Sequence, residues 1–258
     1  MSDPQRPRGL LWRVYERVAM HIGLGSLALL CLLWLPLASL LYPLLPRAAG
    51  RRLGRHIISA GFRFYLKLLE LLCACRFDFR EIEQLKNEPP MIVAANHPSL
   101  LDAVILVSRL PDAICVMKAS LMDNPLFGAA ARLARYVRND GILQIISRSC
   151  DALNEGGHLV LFPEGSRTVN FPVDPIPQTV GMVARRAGVP VQTVLLDFST
   201  AYLGKAWPLF RPPHLPLVVR ARLGKRFDAP TDHQRFTAEL QAYFEQEVKL
   251  PADPDRHD

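Results

Sequence analysis

Residues 91–110 have the sequence MIVAANHPSLLDAVILVSRL, and this stretch decides the predicted fold. Its first part, Met91–Ala95, is a short apolar run of the kind that forms a buried strand. Its last part, Leu101–Arg109, has the apolar spacing of a helix. A polar segment, residues 96–100, separates the two. The stretch therefore predicts a strand–turn–helix unit, the building block of an α/β sheet.

The same alternation continues along the chain. Four further apolar segments are predicted as strands: Ala113–Met117, His158–Phe162, Val191–Leu196 and, nearer an edge of the sheet, Leu217–Leu223. Four further segments are predicted as helices: Pro125–Ala134, Ile142–Asn154, Gln178–Ala187 and Thr231–Lys249. Strands that alternate with helices favour crossover connections and parallel pairing. The predicted fold class is α/β, with a mostly parallel central sheet flanked by helices.

The composition excludes several classes of protein. Of the 258 residues, 50% are hydrophobic and 21% are charged, which is too apolar for a disordered chain. The five cysteines are odd in number and scattered, so they predict reduced thiols rather than a disulfide framework. The mean hydropathy of +0.11 is high for a purely soluble protein. A large folded domain with an apolar appendage remains.

The positive charge is concentrated at the N-terminus. The formal net charge is +7, from 31 basic and 24 acidic residues. Residues 1–67 hold ten basic and two acidic side chains, a net charge of +8, and the remainder carries −1. Basic residues that flank apolar sequence indicate an anionic membrane surface as a partner. Nucleic acid is not predicted as a partner, because these residues do not form a stripe with interleaved aromatics.

No charged side chain occurs from Ile22 to Leu45, a run of 24 residues. As a straight helix this run would be about 36 Å long, enough to cross a hydrocarbon core of about 30 Å. A simple crossing would place Arg47 and the arginines that follow it outside, which the positive-inside rule disfavours. With Pro36 and Pro43 as bend points, the run predicts a membrane-associated helical hairpin that re-enters the same face. The alternative is a buried hairpin in a soluble core.

The following segment, Leu53–Leu72, predicts an amphipathic helix, because apolar residues recur at three- and four-residue steps. Such a helix either lies in the membrane interface or packs on the core of the next domain. Arg51, Arg52 and Arg55 are interpreted as an interfacial anchor. We therefore divide the chain into a membrane-embedded or interfacial helical segment, an α/β domain and a disordered tail, at residues 1–80, 81–250 and 251–258.

Two polar segments follow predicted strands and carry candidate chemistry. In the first, NHPSLLD (residues 96–102), His97 follows a strand and Asp102 falls in or near the first turn of the next helix. The Asp102 carboxylate can reach one ring nitrogen of His97 and leave the other nitrogen as a base. A dyad without its own nucleophile suits the deprotonation of a substrate hydroxyl. The alternative is a helix-capping aspartate beside a histidine at a strand end.

The second segment is FPEGSRT (residues 162–168), at the end of another predicted strand. Gly165 permits a tight turn, and the resulting loop presents Glu164, Ser166 and Arg167 together. Because a guanidinium can bind phosphate through two parallel hydrogen bonds, this loop predicts a substrate-binding site. The alternative is a salt-bridged turn without a ligand.

Together, NHPSLLD and FPEGSRT resemble the two motifs of the glycerolipid (lysophospholipid) acyltransferase family, over about residues 55–225. The resemblance implies an enzyme at the cytoplasmic face of the inner membrane. It would move an acyl group from a thioester of coenzyme A or acyl carrier protein, as co-substrate, to a lysolipid hydroxyl, with no cofactor or metal ion. It further implies His97 as general base, Asp102 as its orienting residue, and Glu164, Arg167 and Lys118 as contacts to the acceptor phosphate.

Two segments depart from the usual pattern of that family. RLARYVRND (132–140) lacks the usual glycine, and Arg138 is the candidate for its arginine. PIPQTVG (175–181) offers Gln178 where a basic residue is usual. The predicted acceptor is therefore a lysophospholipid such as 1-acylglycerol-3-phosphate or, alternatively, a lyso-ornithine lipid or polyene-type lipid. The candidate substrate-binding residues are Asn96, Lys118, Arg138, Glu164, Gly165, Ser166 and Arg167.

Other functional classes fit the sequence less well. Ser166 lies in EGSRT, which is not the G-x-S-x-G elbow of a serine hydrolase. The seven histidines show no paired spacing for a metal ion. A non-catalytic protein that keeps the fold and binds lipid or a carrier protein remains as an alternative.

Overall fold

A computed structural model describes residues 9–249 of the chain, and its centre is a seven-stranded sheet. The strands are β1 (Cys75–Asp78), β2 (Ile92–Ala95), β3 (Ile114–Lys118), β4 (Val137–Asn139), β5 (Leu159–Leu161), β6 (Val191–Phe198) and β7 (Leu217–Phe227). Their order across the sheet is β1-β7-β6-β2-β5-β3-β4. The tail predicted at residues 251–258 lies outside the described residues.

Neighbouring strands are parallel except for β6 and β7, which run antiparallel. The predicted α/β class with a mostly parallel sheet is therefore confirmed. The sequence pattern misses the two edge strands, β1 and β4, because runs of four and three residues are too short to show a period. β1 pairs with β7, so the sheet includes residues before position 81.

Helices cover both faces of the sheet. They are α1 (Leu10–Leu44), α2 (Arg47–Leu72), α3 (Leu101–Arg109), α4 (Ala119–Asp123), α5 (Pro125–Leu133), α6 (Ile142–Asn154), α7 (Thr179–Ala187) and α8 (His233–Glu247), with a 3₁₀ helix at Ile82–Asn87. Val93 and Ala95 of β2 pack in a cluster with α2 and α3, whereas Ile92 and Ala94 pack with α6, α7 and α8. Because β2 is buried on both faces, it is apolar at every position.

The N-terminal segment is a helical hairpin, but its bend is not where the sequence predicts it. α1 is one continuous helix of 35 residues that includes Pro36, and the chain reverses at Leu45 and Pro46, before α2. The predicted re-entrant bend inside residues 22–45 is therefore wrong. Pro36 removes one hydrogen bond of α1. Packing compensates for this loss, because Ala38, two residues further on, is buried against α5.

α1 lies along the surface of the domain and is held there near both ends. Near its start, Glu16 Oε1 accepts the backbone N–H of Leu215, and the Cys73 thiol donates to the Ala19 carbonyl. Ala38 packs against α5 about 33 Å further along, at 1.5 Å per residue. The opposite side of the helix, here called the α1 stripe, is apolar and uncovered; it includes Leu10, Val14, Val18, Leu29, Leu32 and Leu40.

α2 packs against the core of the domain. Its apolar face is buried at Ile58, Tyr65 and Leu69. Arg55, predicted as part of an interfacial anchor, is only 2% exposed, and its Nε donates to the Ala134 carbonyl. Burial lowers the pKa of its guanidinium. The prediction for Arg55 is therefore wrong, because α2 approaches the end of α5 so closely that this side chain lies inside the protein.

Gly54 marks that close approach of α2 to the end of α5. A Cβ atom at Gly54 would lie 2.8 Å from the Ala134 backbone nitrogen, whereas one at Gly61 would meet no described atom within 4 Å outside its own helix. We expect Gly54→Ala to lower the free energy of unfolding by about 2 kcal/mol, because the two backbones must separate. Gly61→Ala should raise it by about 0.5 kcal/mol through the helix propensity of alanine. Thermal unfolding measures both, and an equal response at the two positions would contradict the close packing.

Candidate active site

His97 and Asp102 lie where β2 ends and α3 begins. His97 Nδ1 is 2.8 Å from Asp102 Oδ2, and the same oxygen accepts the Ser99 backbone N–H at 2.8 Å. Asp102 is fully buried in the first turn of α3. The structure thus brings the two residues of the predicted dyad into direct contact.

The surroundings of Asp102 determine the tautomer of the imidazole. Burial raises the pKa of the Asp102 carboxyl, while the hydrogen bond from His97, the Ser99 N–H and the charge of Arg167 act in the opposite direction. A carboxylate oxygen only accepts hydrogen bonds, so His97 Nδ1 carries the hydrogen and Nε2 keeps a free lone pair. Nε2 is therefore the atom that can take a proton from a substrate.

The His97 ring has an aromatic partner, the first residue of the FPEGSRT segment, to which the sequence analysis assigns no role. The Phe162 ring, just after β5, stacks on it with 3.9 Å between centroids and 15° between planes. β2 and β5 are neighbouring parallel strands, so their carboxyl ends bring the two predicted motifs together. Stacking restrains the imidazole in the plane that the hydrogen bond to Asp102 requires.

Glu164 is buried and faces the protein rather than the solvent. Its Oε1 accepts the His97 backbone N–H at 3.2 Å and the Thr168 hydroxyl at 2.8 Å. Its Oε2 accepts the Asp174 N–H at 2.9 Å. Burial raises the pKa of the Glu164 carboxyl against the effect of these donors. The contacts favour a positioning role over the phosphate contact implied by the resemblance, because a carboxylate would also repel a phosphate.

The turn predicted at Gly165 is present. Gly165 has a φ of +71°, a conformation that favours glycine, and its N–H closes the turn. Beyond it, Arg167 reaches the loop between β6 and β7, where its Nη1 donates to the Leu203 and Gly204 carbonyls, both at 2.9 Å. Its Nε and Nη2 make no hydrogen bond with residues 9–249 and are available to a ligand.

An apolar cavity of about 710 Å³ opens beside His97. Lys118, Ser166 and Arg167 line the same cavity and make this end of it polar. Its other walls are mainly apolar side chains of α1, α2 and α5, among them Leu27, Leu30, Trp34, Ile58, Phe62 and Ala130. The cavity suits a long apolar chain whose reactive end lies at the dyad.

Comparisons with known proteins agree with this geometry. Residues 76–197, from β1 to β6, match the Acyltransferase family model. A 1-acyl-sn-glycerol-3-phosphate acyltransferase from Pseudomonas aeruginosa is 24% identical over 213 residues, which cover 80% of this chain and 79% of that protein. This Acyltransferase domain and its relatives support membership of the glycerolipid acyltransferase family. A lysophosphatidylcholine acyltransferase from Drosophila melanogaster is 31% identical over 144 residues, which cover 51% of this acyltransferase and 25% of that protein.

A solved structure shares the fold of this acyltransferase. It is the crystal structure of the 1-acyl-sn-glycerophosphate acyltransferase from Thermotoga maritima, with a TM-score of 0.65 and 16% sequence identity. The match covers 90% of this chain and 96% of that chain. At this identity the likeness shows a common fold.

Two lysines add positive charge near Arg167 of the acyltransferase. Lys118, implied by the resemblance, ends β3, is exposed and lines the cavity. Lys205 lies in the loop between β6 and β7 and places its Nζ 3.3 Å from the Ser166 hydroxyl. No local pattern marks Lys205 in the sequence, because it reaches the site through the folding of a loop that is distant from both motifs.

Two predicted binding residues of the acyltransferase are engaged elsewhere. The buried Asn96 amide joins β2 to β6, since its Nδ2 donates to the Leu196 carbonyl and its Oδ1 accepts the Leu196 N–H. Arg138 does not line the cavity, and its guanidinium pairs with Asp123 and Asp140. The structure therefore does not bring Asn96 or Arg138 together with the dyad in a common binding surface.

Proposed function

We propose that this acyltransferase moves a fatty acyl group from a thioester to the hydroxyl of a lysophospholipid-type acceptor such as 1-acylglycerol-3-phosphate. One observation carries the proposal: the oriented His97–Asp102 dyad lies at the polar end of an apolar cavity. That arrangement suits a substrate with a polar reacting group and an apolar chain. The name of the Pseudomonas aeruginosa relative, which states this acceptor, supports the same reaction.

In the proposed mechanism, His97 Nε2 takes the proton of the acceptor hydroxyl while the hydroxyl oxygen attacks the carbonyl carbon of the thioester. The new C–O bond gives a tetrahedral intermediate, whose C–S bond then breaks. The leaving thiolate takes the proton from the imidazolium, so no covalent enzyme intermediate forms. Asp102, in contact with Nδ1, stabilises the imidazolium between the two steps.

Two cations that line the cavity, Lys118 and Arg167, and a third beside Ser166, Lys205, favour an anionic acceptor. The free Nε and Nη2 of Arg167 present two adjacent donors, the geometry that suits phosphate. Lys118 and Lys205 approach the same region from β3 and from the loop between β6 and β7. Gln178 stands where the family usually has a basic residue. Lys205, from the loop between β6 and β7, supplies a positive charge instead.

The acyl donor in this proposal is an acyl carrier protein or coenzyme A thioester, which is a co-substrate rather than a cofactor. Its acyl chain would occupy the cavity between α1, α2 and α5, with the thioester carbonyl at His97. Within residues 9–249, no group of three or more His, Cys, Asp or Glu side chains is placed to hold a metal ion. The proposal assigns the proton transfers to protein side chains.

We further propose that α1 lies in the plane of the inner, cytoplasmic membrane, with the α/β domain on the cytoplasmic side. Among the described residues, α1 is the one helix long and apolar enough to cross a membrane, by length and composition. A crossing helix leaves its domain at one end, whereas α1 contacts the domain at Glu16 and again at Ala38. In the plane, α1 would bury its stripe among acyl chains and keep Arg13, Arg17 and Arg47 at the anionic surface.

The test is a transfer assay with the enzyme in phospholipid vesicles. Labelled acyl-carrier-protein and coenzyme A thioesters are offered with lysophosphatidic acid, lysophosphatidylcholine or a lyso-ornithine lipid. Transfer should be fastest to lysophosphatidic acid. Transfer to the lyso-ornithine lipid alone would overturn the proposed acceptor and keep the mechanism. No transfer to any acceptor, beside an active control enzyme, would favour a lipid-binding or carrier-binding protein.

Lys205→Gln is expected to raise the KM for lysophosphatidic acid about tenfold with little change in kcat, because a charge-assisted hydrogen bond to phosphate is lost. The matched control is Lys225→Gln, which removes an exposed lysine over the Phe227 ring, opposite the amino end of β6. Initial rates over a range of acceptor concentrations should show no effect in the control. An unchanged KM in Lys205→Gln would take Lys205 out of the acceptor site.

A further inference from the structure

The loop between β6 and β7 presents two large apolar side chains to solvent. Leu209 is 52% exposed and Phe210 is 70% exposed. They lie in a tight turn, Trp207–Arg211, here called the apolar turn, in which Trp207 Nε1 donates to the Arg211 carbonyl. The Arg211 guanidinium lies over the Trp207 ring, 4.5 Å from its centroid. Large apolar side chains that are exposed on a turn with its own internal contacts indicate a surface that binds a partner.

The apolar turn lies beside α1. The Phe210 ring stacks on the His21 ring with 6.3 Å between centroids, and Leu215, just beyond the turn, is held by Glu16. His21 is exposed and follows Val18 at helical spacing, so it lies on the uncovered side of α1. The apolar turn therefore extends the α1 stripe sideways, to one side of the helix axis.

A membrane contact beside α1, away from its axis, would limit the rotation of the domain about that axis. A helix that lies in a membrane interface leaves its domain free to roll about the axis of the helix. The roll angle decides whether the cavity beside α1 opens toward lipid or toward water. A second lipid contact beside the axis sets this angle. The same loop also holds Arg167 through the Leu203 and Gly204 carbonyls, so it joins the membrane contact to the site.

We propose that the apolar turn is a second lipid-binding element, which inserts Leu209 and Phe210 into the bilayer surface and sets the roll of the catalytic domain about α1. The inference rests on the proposed function at a membrane surface. Its occupant is a bilayer with anionic headgroups, because the exposed cations Arg13, Arg17 and Lys205 lie on the same two elements. A tryptophan beside a basic residue is also typical of proteins at the membrane interface.

The test compares the wild type with the double variant L209S/F210S in flotation with phosphatidylethanolamine–phosphatidylglycerol vesicles. The double variant should partition about tenfold less, because two apolar side chains no longer enter the bilayer. The control is Val218→Ser on β7. Val218 is exposed, and its neighbours Leu217 and Val219 pack toward α2, so it points to the other face of the sheet. It should partition as the wild type does, and so should Phe210→Trp.

A kinetic measurement separates this inference from the proposed function. With enough lipid to bind all of the protein, L209S/F210S should lose kcat/KM for lysophosphatidic acid in vesicles but not for a short-chain acceptor dissolved as monomer. If no acceptor is acylated, the proposed function fails and flotation still decides the inference.

Three results would overturn the proposal. The first is equal flotation of the double variant and the wild type. The second is an equal kinetic loss with vesicle-bound and dissolved acceptor, because the turn would then act only by supporting Arg167. The third is a wild type that is a dimer and a double variant that is a monomer, with equal flotation of the two. That result would assign the surface to a second copy of the chain.

Discussion

Replacing His97 with alanine is expected to lower the rate of acyl transfer about a thousandfold, within the range of about 10²–10⁴ that a positioned general base contributes. The hydrogen bond to Asp102 leaves Nε2 as the atom that accepts the hydroxyl proton, and alanine offers no replacement. The measurement is a single turnover of labelled acyl thioester at saturating acceptor, so that the chemical step is compared rather than binding.

Two companion variants make the result specific. His56→Ala removes an exposed imidazole of α2, whose Nδ1 contacts the Arg52 carbonyl, and should leave the rate unchanged. Asp102→Asn should lower the rate about a hundredfold, because the amide no longer stabilises an imidazolium. Vesicle binding should match the wild type in all three variants. If His97→Ala kept a tenth of the rate, His97 would not be the general base of the reaction.

Replacing Glu164 with alanine is expected to lower the free energy of unfolding by about 3 kcal/mol, because three donors around this buried carboxylate lose their acceptor. These donors are the His97 N–H, the Thr168 hydroxyl and the Asp174 N–H. In a protein of this size the change corresponds to a Tm lower by about 6–12 °C. The variant should also lose kcat, since the Glu164 carboxylate holds the backbone of His97. Calorimetry and steady-state kinetics on the same preparation measure both effects.

The kinetics also separate the two roles considered for Glu164. A positioning residue lowers kcat and Tm together, whereas a phosphate contact raises the KM for the acceptor at unchanged Tm. Glu239→Ala is the matched control, because it removes a carboxylate from an exposed pair with Arg235 on α8 and should leave Tm and kcat unchanged. A Glu164→Ala variant with a raised KM and wild-type Tm would restore the phosphate contact implied by the resemblance.

The central elements of the fold can be predicted from the sequence, because buried strands and helices have characteristic patterns of apolar residues. The run predicted at Met91–Ala95 is β2, which is apolar throughout because helices cover both of its faces. The helix predicted at Ile142–Asn154 has those bounds as α6, since one of its sides packs on the sheet. β1 and β4 lie at the edges and are too short for either pattern to appear.

The N-terminal helices show a different limit of sequence analysis. Hydropathy and the prolines indicate a long apolar segment that can bend, but they do not say which residues meet the domain. The bend lies at Leu45 and Pro46 because α1 finds partners along its length, from Glu16 near one end to Ala38 near the other. Arg55 is buried because α2 and the end of α5 pack closely at its neighbour Gly54, which has no side chain.

Local patterning alone specifies the α/β class, the spacing that joins His97 to Asp102 and the turn at Gly165, because each depends on residues a few positions apart. The remaining features of the site required the assembled fold. Lys205 meets Ser166 across 39 residues, and Glu164 reaches the His97 backbone across 67. Leu215 meets Glu16 across 199 residues, which places the loop of Lys205 against α1. Such contacts arise from the order of the strands in the sheet, and no local period in the chain encodes that order.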